Sequence, residues 1–511
     1  MSSTHDASSL NLQRWLLVTA LVSLTLRLWI AHALPITGDE AFFYWWGVYP
    51  DWGYYDHPPM VGWLIWLMRT LFGEATWAIR LPVVLLPLAL GAMLWWAFKP
   101  LNRERAAWGL LLFWLAPINW LNALITTDTP LIFWSVLSVA MLLRAERRAQ
   151  MDGRAWGLYA LSGLFIGCAF LSKYFSVVLG LAYLVYFAAY RRERWQGLAL
   201  LVLCALPGPI INLLWNMDHG WSNIMFNAIN RNENAAFELR KPLIYLGMLA
   251  YLLTPALLWL GFRHRSALAA TARQLRLLSM LVVVPLLFFG LLSFKKVVGL
   301  HWVLAFYPFV FMLLAFALPQ AALRRCALGL AAFTALHVLP LGGIALTHVE
   351  QWEGKPRYFA IVRAFKTPEL LAQVRTPDSV LMADAYSPAA VYGYVIGQYV
   401  PVFGPGKFHA RQDDLLVDYS IYQGKTIRVL LSDPPVMSDF TPYFDSVQAY
   451  TAVQSGVTFH YVEGRNFNYE AYRQGVLAAV FKHYYNIPAW LPMTGCPYCV
   501  RYCGQVSCPK P

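Results

Sequence analysis

Two adjacent carboxylates, Asp39 and Glu40, follow directly after an apolar segment over residues 15–34. Aromatic residues crowd the next positions, in the run 42-FFYWW-46. A carboxylate among rings is partly desolvated, which favours its protonated form and raises its basicity. Such a group suits general-base catalysis on a hydroxyl or amine nucleophile. Asp39 and Glu40 are therefore candidate catalytic residues, and a solvated loop start is the alternative.

The turn 53-GYYDHPP-59 holds a second pair of ionisable side chains, Asp56 and His57. The two prolines restrict the backbone, so they hold the preceding side chains at a defined angle. His57 could contact a phosphate or a metal ion, and a plain turn is the alternative. Because a carboxylate and an imidazole can share a metal, Asp56 and His219 form a candidate site for a divalent metal cofactor.

A third carboxylate, Asp128, lies in 125-ITTDTP-130 between two apolar segments. A carboxylate at the end of a membrane helix is tolerated if it reaches water. The alternative function is an N-cap on the following helix, with Pro130 at an early helix position. The two functions are compatible, so Asp128 joins the candidate catalytic residues.

Basic side chains form a candidate phosphate site. A phosphate at a membrane surface needs charge-assisted donors from arginine or lysine. Lys173 lies between two apolar segments with almost no loop, in 171-LSKY-174. The other candidates lie in gaps between apolar segments and are His57, Arg231, Lys295, Lys296 and His301. Contact with lipid headgroups is the alternative for these cations. Arg27, inside the first apolar segment, is interpreted as a structural partner.

The elements that must position these residues are membrane helices. The 511 residues are 59% hydrophobic and 13% charged, with a mean hydropathy of +0.47, whereas soluble domains are about 25% charged. Segments long enough to cross a hydrocarbon core of about 30 Å recur along the chain. The predicted spans are 15–34, 77–98, 107–124, 130–144, 156–171, 174–190, 197–215, 243–262, 277–293, 300–318 and 326–346. The first is long for a cleavable signal, so we expect it to remain a span.

The distribution of basic residues predicts the orientation of these spans. With a cytoplasmic N-terminus, inner gaps such as 144–154 and 263–276 are rich in arginine, and outer gaps such as 35–76 hold far fewer basic residues. Nearly every candidate residue then lies on the non-cytoplasmic side. Topology thus explains the net charge of +13. A nucleic-acid partner is not expected, because the basic residues are not gathered on one face.

The composition changes after about residue 347, which predicts two domains, 1–346 in the membrane and 347–511 outside it. The outer loop 35–76 is expected to carry two interfacial helices, 41–48 and 61–72. Residues 379–383, 427–431 and 457–462 read as strands by their β-branched content. The second domain is therefore expected to be a small α/β domain.

Four cysteines crowd the end of the second domain. They are Cys496, Cys499, Cys503 and Cys508. An oxidising compartment would favour disulfides among them. A four-thiolate metal site and free thiols stay open as alternatives, and none of these states assigns the tail a catalytic function.

Together the motifs resemble those of glycosyltransferase family 39, which includes the protein O-mannosyltransferases. They are also similar to the aminoarabinose transferase that modifies lipid A. The residues that carry the resemblance are the Asp-Glu pair before an aromatic helix, 52-WGYYDHPP-59, 125-ITTDTPLIFW-134, 167-GCAFLSKYFSVVLG-180 and 293-SFKKVVGLHW-302. The resemblance covers residues 15–320, and the C-terminal 160 residues match no motif of the family.

The resemblance implies a fold of the GT-C type, an all-α polytopic membrane protein with about eleven transmembrane helices and a small C-terminal α/β domain. It implies inverting transfer of a sugar from a polyprenyl-phosphate donor to a glycolipid, glycan or protein acceptor. The expected location is the outer face of a bacterial inner membrane, with the C-terminal domain in the periplasm.

The resemblance also implies roles for single residues. Asp39 would be the base, accompanied by Glu40, and Asp128 would be the second acid of the cavity. Lys173, His57 and the Lys295–His301 region would face the donor phosphate. His57 departs from the aminoarabinose enzymes, in which an acid–lysine pair stands at that site.

Two other classes of function compete with the enzyme. A transporter or flippase could use the same outer cavity for an anionic lipid, but transporters usually contain internal repeats, and the sequence has none that we detect. A non-catalytic membrane scaffold would leave the set of Asp39, Asp128 and Lys173 unexplained. The sequence therefore favours the glycosyltransferase.

Overall fold

The computed structural model describes residues 2–232, 236–406 and 411–503. The chain forms two compact units. The first comprises Met1–Leu34, Leu71–Ile210 and Ala235–Leu346, and the second comprises Pro35–Thr70, Ile211–Asn234 and Thr347–Pro511. The second unit therefore combines the segment after residue 346 with two segments that the topology prediction assigns to outer loops.

The first unit is helical and apolar. Its helices are α1 (Ser2–Ala33), α4 (Thr76–Phe98), α5 (Arg103–Leu115), α6 (Ile118–Leu121), α7 (Asp128–Glu146), α8 (Gly153–Phe170), α9 (Ser176–Tyr190), α10 (Trp195–Ala205), α11 (Pro207–Asp218), α13 (Arg240–Arg263), α14 (Arg265–Gln274), α15 (Arg276–Leu292), α16 (Tyr307–Ala317) and α17 (Gln320–Ala345). The last residues of α11 belong to the second unit. Each predicted span coincides with at least one of these helices.

Several helices are long and apolar enough to cross a membrane. By length and composition, six segments of the described chain qualify: Asn11–Ala33, Thr76–Phe98, Asp128–Glu146, Arg192–Asp218, Arg240–Arg263 and Gln320–Ala345. The pair α14 and α15 adds a seventh if it is counted as one span, although it bends by 113°. Helices α9 and α16 are apolar but shorter. The polytopic helical architecture is confirmed, and the count of eleven spans stays a prediction.

Arg27 shows how a charge is accommodated inside the first unit. Pro87 has no amide hydrogen to donate to the carbonyl of Val83, and the Arg27 guanidinium donates to that oxygen instead. Arg27 also donates to the carbonyls of Val84 at 3.2 Å and Asn119 at 2.5 Å. It therefore ties α1 to α4 and α6, as the structural interpretation predicts.

The second unit combines short helices with one sheet. Its helices are α2 (Gly38–Val48), α3 (Met60–Phe72), α12 (Ser222–Ala228), α18 (Tyr358–Phe365), α19 (Thr367–Val374), α20 (Tyr386–Ile396), α21 (Asp413–Leu416), α22 (Tyr469–Tyr472), α23 (Ala478–Tyr484) and α24 (Pro497–Tyr502). Its strands are β1 (Ser379–Ala383), β2 (Thr426–Leu431), β3 (Phe444–Gln454) and β4 (Val457–Phe467). Both predicted interfacial helices, 41–48 and 61–72, form as helices.

The sheet has the order β1-β2-β4-β3. Strands β1 and β2 are parallel, and the other neighbours are antiparallel, with Val429 opposite Val462. One face packs on a core that includes Phe403 and Phe467, and the other face packs on a core that includes Leu371 and Tyr392. The three predicted strands are confirmed, and β3 is an addition.

Candidate active site

Glu40 and Asp39 occupy different environments at the start of α2. Thr37 is the N-cap, and the Glu40 side chain accepts hydrogen bonds from the Thr37 amide at 3.1 Å and hydroxyl at 3.0 Å. This is a capping box, which satisfies amide donors at the start of a helix. Glu40 is buried, whereas Asp39 is exposed. The desolvation by rings that we expected for Asp39 is therefore wrong, because its side chain is exposed to solvent.

Helix α20 brings a phenol to Asp39. The hydroxyl of Tyr386 donates to Asp39 Oδ1 at 3.3 Å. The Tyr386 ring packs edge-on against Phe42, with centroids 4.8 Å apart. The two carboxylate oxygens of Asp39 are therefore not equivalent, since one faces a donor from the 347–511 segment.

The Asp56–His57 turn is held by amide side chains from distant segments. Asn223 and Asn227 of α12 donate to the carbonyls of Tyr54 and Asp56 at 2.7 and 2.8 Å. His57 Nε2 lies 3.8 Å from Asp56 Oδ2. The side chains of Asp56 and His57 are 14% and 16% exposed, so they are accessible to a ligand while their backbone is fixed.

Charged groups converge on Tyr386. Burial raises the pKa of the Tyr386 phenol, the carboxylates of Asp39 and Asp56 raise it further, and the Arg231 guanidinium lowers it. A phenol with a raised pKa stays protonated at neutral pH and can act as a hydrogen-bond donor. Asp39, Asp56 and Arg231 therefore all influence Tyr386, a residue that the sequence analysis did not identify.

In the first unit, Asp128 and Lys173 form a buried ion pair. Lys173 Nζ lies 2.9 Å from both carboxylate oxygens of Asp128. The two residues are 5% and 7% exposed. Helix α7 begins at Asp128 with Thr127 as the N-cap, so the alternative function of Asp128 as the N-cap is wrong. Pro130 lies in the first turn of α7, as predicted.

An apolar cavity of about 380 Å³ is lined by residues that precede and follow Lys173 in the sequence. Its lining includes Phe170 and Ser176, three residues before and after Lys173, together with Val177, Leu201 and Phe288. The lining is almost entirely apolar, so the cavity can accept a hydrocarbon chain but offers little to a sugar.

The remaining predicted phosphate ligands lie in segments between α-helices. Lys295, Lys296 and His301 lie in the segment between α15 and α16, where Lys295 and His301 are exposed. The backbone carbonyl of Lys295 accepts a hydrogen bond from Lys241 Nζ at 3.0 Å. Arg231 is exposed, with its guanidinium 5.5 Å from the centre of the Phe226 ring. Their role in phosphate binding stays a prediction.

His219 lies beside carboxylates other than the predicted one. Its imidazole nitrogens lie 3.8 Å from Asp51 and 3.6 Å from Asp218, and its ring stacks on Trp215 at 4.2 Å. Within residues 2–232, 236–406 and 411–503, no group of three or more His, Cys, Asp and Glu side chains is arranged to hold a metal. The metal pair of Asp56 and His219 therefore stays a prediction.

The cysteine tail is partly described. Cys496 and Cys499 form a disulfide, which favours the disulfide interpretation for that pair, and Cys508 lies outside the described residues. The same segment pairs with the end of α11, since the amide of Gly220 donates to the carbonyl of Gly495 at 2.9 Å. The tail therefore packs against the segment that carries His219.

Comparison with known proteins places these residues in a family context. Residues 56–215 match the family described as dolichyl-phosphate-mannose-protein mannosyltransferase. This range contains Asp56, His57, Asp128 and Lys173. The resemblance inferred from the motifs is confirmed.

Two similar proteins are named as sugar transferases. The chain is 30% identical over 234 residues to the lipid A galacturonosyltransferase RgtD of Rhizobium johnstonii, covering 41% of this chain and 48% of that protein. It is 25% identical over 231 residues to the undecaprenyl phosphate-α-4-amino-4-deoxy-L-arabinose arabinosyl transferase of Edwardsiella ictaluri, covering 42% of each. The chain thus matches less than half the length of these relatives.

Structural similarity extends further than sequence similarity. ArnT of Cupriavidus metallidurans, in the apo state, superposes with a TM-score of 0.65 at 14% identity, covering 88% of this chain and 98% of that one. The same protein bound to undecaprenyl phosphate gives a TM-score of 0.63. The fold is therefore the GT-C fold of ArnT, and the chain is a multi-pass membrane protein.

Sequence reasoning missed the residues that contact the site from far along the chain. Tyr386, Asn223 and Asn227 lie 160 or more positions from the groups that they contact. One local signal was available for Tyr386, because it follows the predicted strand 379–383 closely and functional side chains often lie in such connections.

Proposed function

We propose that this protein is a membrane glycosyltransferase that moves a sugar from a polyprenyl-phosphate donor to an envelope glycolipid on the outer face of the inner membrane. The observation that carries the proposal is the family match over residues 56–215, because it contains the Asp128–Lys173 pair and the Asp56–His57 turn. Lipid A is the first candidate acceptor, since the name of RgtD contains it.

The proposed step is a displacement at the anomeric carbon. The acceptor hydroxyl oxygen forms a bond to that carbon, while the bond from the carbon to the phosphate oxygen breaks with inversion. The acceptor proton passes to Asp39, which is exposed and accepts a hydrogen bond from Tyr386. The polyprenyl phosphate leaves with the bonding electron pair. It already carries charge, so it needs cations more than a general acid.

Several basic side chains and an apolar cavity suit the donor. Lys173 has a compact charge that can bind a phosphate oxygen, and Arg231, Lys295, Lys296 and His301 are further proposed phosphate ligands. The apolar cavity beside Phe170 and Ser176 suits the isoprenoid chain. A polyprenyl chain in that cavity would place its phosphate end near the turn that carries Lys173.

A divalent metal at Asp56 and His219 remains part of the proposal.

The test is sugar transfer by the purified protein in lipid vesicles. The probes are undecaprenyl-phosphate donors carrying 4-amino-4-deoxy-L-arabinose or galacturonate, with lipid A as acceptor. We expect a lipid A product heavier by one sugar, detected by mass spectrometry, together with release of undecaprenyl phosphate. Mass spectrometry of envelope glycolipids and glycoproteins from cells with and without the chain covers other sugars and acceptors. The proposal is rejected if no sugar is transferred to lipid A in the vesicles and the envelope glycolipids and glycoproteins are the same with and without the chain.

A further inference from the structure

Tyr386 lies outside the family motifs but contacts the proposed base, Asp39. Its hydroxyl is 3.3 Å from Asp39 Oδ1, and its ring packs edge-on against Phe42 of α2. The Phe42 contact restricts the ring, so the hydroxyl has a defined position. An enzyme base is commonly oriented by a third group in this way.

The helix that carries Tyr386 is locked against the helix that carries Asp39. A Cβ atom at Gly38 would lie 1.6 Å from the Ser387 hydroxyl oxygen and 2.9 Å from the Ser387 Cβ, so a larger residue at position 38 would displace Ser387. Farther along the two helices, Trp45 Nε1 donates to the carbonyl of Ala390 at 3.2 Å. Contacts at both ends of the pair fix the register of α20 on α2, and with it the distance from Tyr386 to Asp39.

The surrounding charges keep the phenol in its donor form. The carboxylates of Asp39 on α2 and Asp56 in the following turn act electrostatically on Tyr386, and the Arg231 guanidinium opposes them. Burial and the two carboxylates raise the pKa of Tyr386. Glu40, the other carboxylate at the start of α2, is engaged with Thr37 in the capping box.

We infer that Tyr386 is a positioning residue for the Asp39 carboxylate, so that the 347–511 segment supplies part of the active site. The inference rests on the proposed function. Donation to Oδ1 holds the carboxylate plane and leaves Oδ2 for the acceptor hydroxyl. The C-terminal segment, which carries no family motif, then supplies the hydrogen-bond donor that orients the base.

The test compares Tyr386→Phe with Tyr394→Phe in the full-length protein. Both substitutions remove one hydroxyl from α20, and Tyr394 contacts Tyr44 instead of Asp39. With the donor that the wild-type protein uses, kcat of Tyr386→Phe should fall by about ten- to a hundredfold, the effect of one hydrogen bond to a charged group. KM for the donor and the melting temperature should stay unchanged, and Tyr394→Phe should behave as wild type.

The pH profile separates positioning from a merely structural role. A carboxylate that loses a hydrogen-bond donor is protonated more readily, so the acidic limb of the kcat profile should move to higher pH in Tyr386→Phe alone. A normal rate, or a loss of rate with a lower melting temperature and an unmoved profile, would overturn the inference. Asp39→Asn separates failure of the proposed base from failure of the role of Tyr386. Full activity of Asp39→Asn would contradict the assignment of Asp39 as the base. Loss of activity in Asp39→Asn with normal activity in Tyr386→Phe would contradict only the role of Tyr386.

Discussion

At the scale of single residues, neighbouring carboxylates have different tasks. The capping box of Thr37 and Glu40 uses one acid to begin α2, while Asp39 beside it stays exposed and faces Tyr386. The pattern 37-TGDE-40 contains the capping signature, so the structural part of Glu40 could have been predicted from sequence. The partner of Asp39 could not, because no local pattern relates residues 39 and 386.

The ion pair of Asp128 and Lys173 makes a prediction at the same scale. Removal of one partner from a buried pair leaves an uncompensated charge and costs about 3–5 kcal/mol. We expect Lys173→Met and Asp128→Asn both to lower the melting temperature of the protein. If Lys173 also binds the donor phosphate, only Lys173→Met should abolish binding of undecaprenyl phosphate, measured by calorimetry in detergent.

Lys173→Arg is the matched control for this pair, since it retains the charge and should keep measurable donor binding. Equal undecaprenyl phosphate affinity in wild type and Lys173→Met would contradict the phosphate role and leave the pair purely structural.

At the scale of elements, the start of α21, at Gln412 and Asp413, connects to α2 and to the Asp56–His57 turn. Asp413 accepts hydrogen bonds from the Tyr399 hydroxyl at 2.5 Å and the Val402 amide at 3.0 Å. The Tyr399 ring packs against Trp45 of α2, and Gln412 accepts from the amide of Tyr55 at 3.0 Å. One short segment therefore braces both α2 and the turn before His57.

Asp413 makes the stability of this segment depend on pH. Burial raises the pKa of Asp413 to about 6 from its ordinary 3.8, against the hydrogen bonds that lower it. The folded state then binds the proton more tightly than the unfolded state, so this contribution to stability is lost as pH rises from 4 to 6. The neighbouring charges are Arg411, which lowers the pKa, and Asp414, which raises it.

The corresponding substitution is Asp413→Asn, which keeps an oxygen for the Val402 amide and carries no charge. Its melting temperature should match that of wild type near pH 4 and exceed it near pH 7, by on the order of 5 °C. Asp439→Asn, at an exposed position, is the control and should show no such trend. A constant difference between Asp413→Asn and wild type across this range would contradict the assignment.

The elements themselves were predictable where their composition is uniform. The spans are rich in apolar residues, and the strands β1, β2 and β4 contain β-branched residues. All of these segments were located from sequence. Strand β3 was missed because most of its residues are exposed, as in 445-DSVQAYT-451, so it lacks the apolar alternation of a half-buried strand. Its pairing with β4 over ten residue pairs fixes it instead.

At the scale of the whole molecule, the candidate residues are divided between the two compact units. The first unit holds the Asp128–Lys173 pair and the apolar cavity, and the second holds Asp39, the Asp56–His57 turn and Tyr386. The family match stops at residue 215, so most of the second unit lies beyond it. The similarity to ArnT covers 88% of the chain, which fits a fold retained after its sequence has diverged.

The most direct test of the central claim is the rate of labelled-sugar transfer from undecaprenyl phosphate to lipid A by Asp39→Asn. Asp378→Asn, an exposed carboxylate before β1, is the matched control and should transfer at the wild-type rate. We predict that Asp39→Asn loses at least about a hundredfold in kcat, the effect of removing a general base, while undecaprenyl phosphate still binds. Transfer by Asp39→Asn at the wild-type rate would contradict the account.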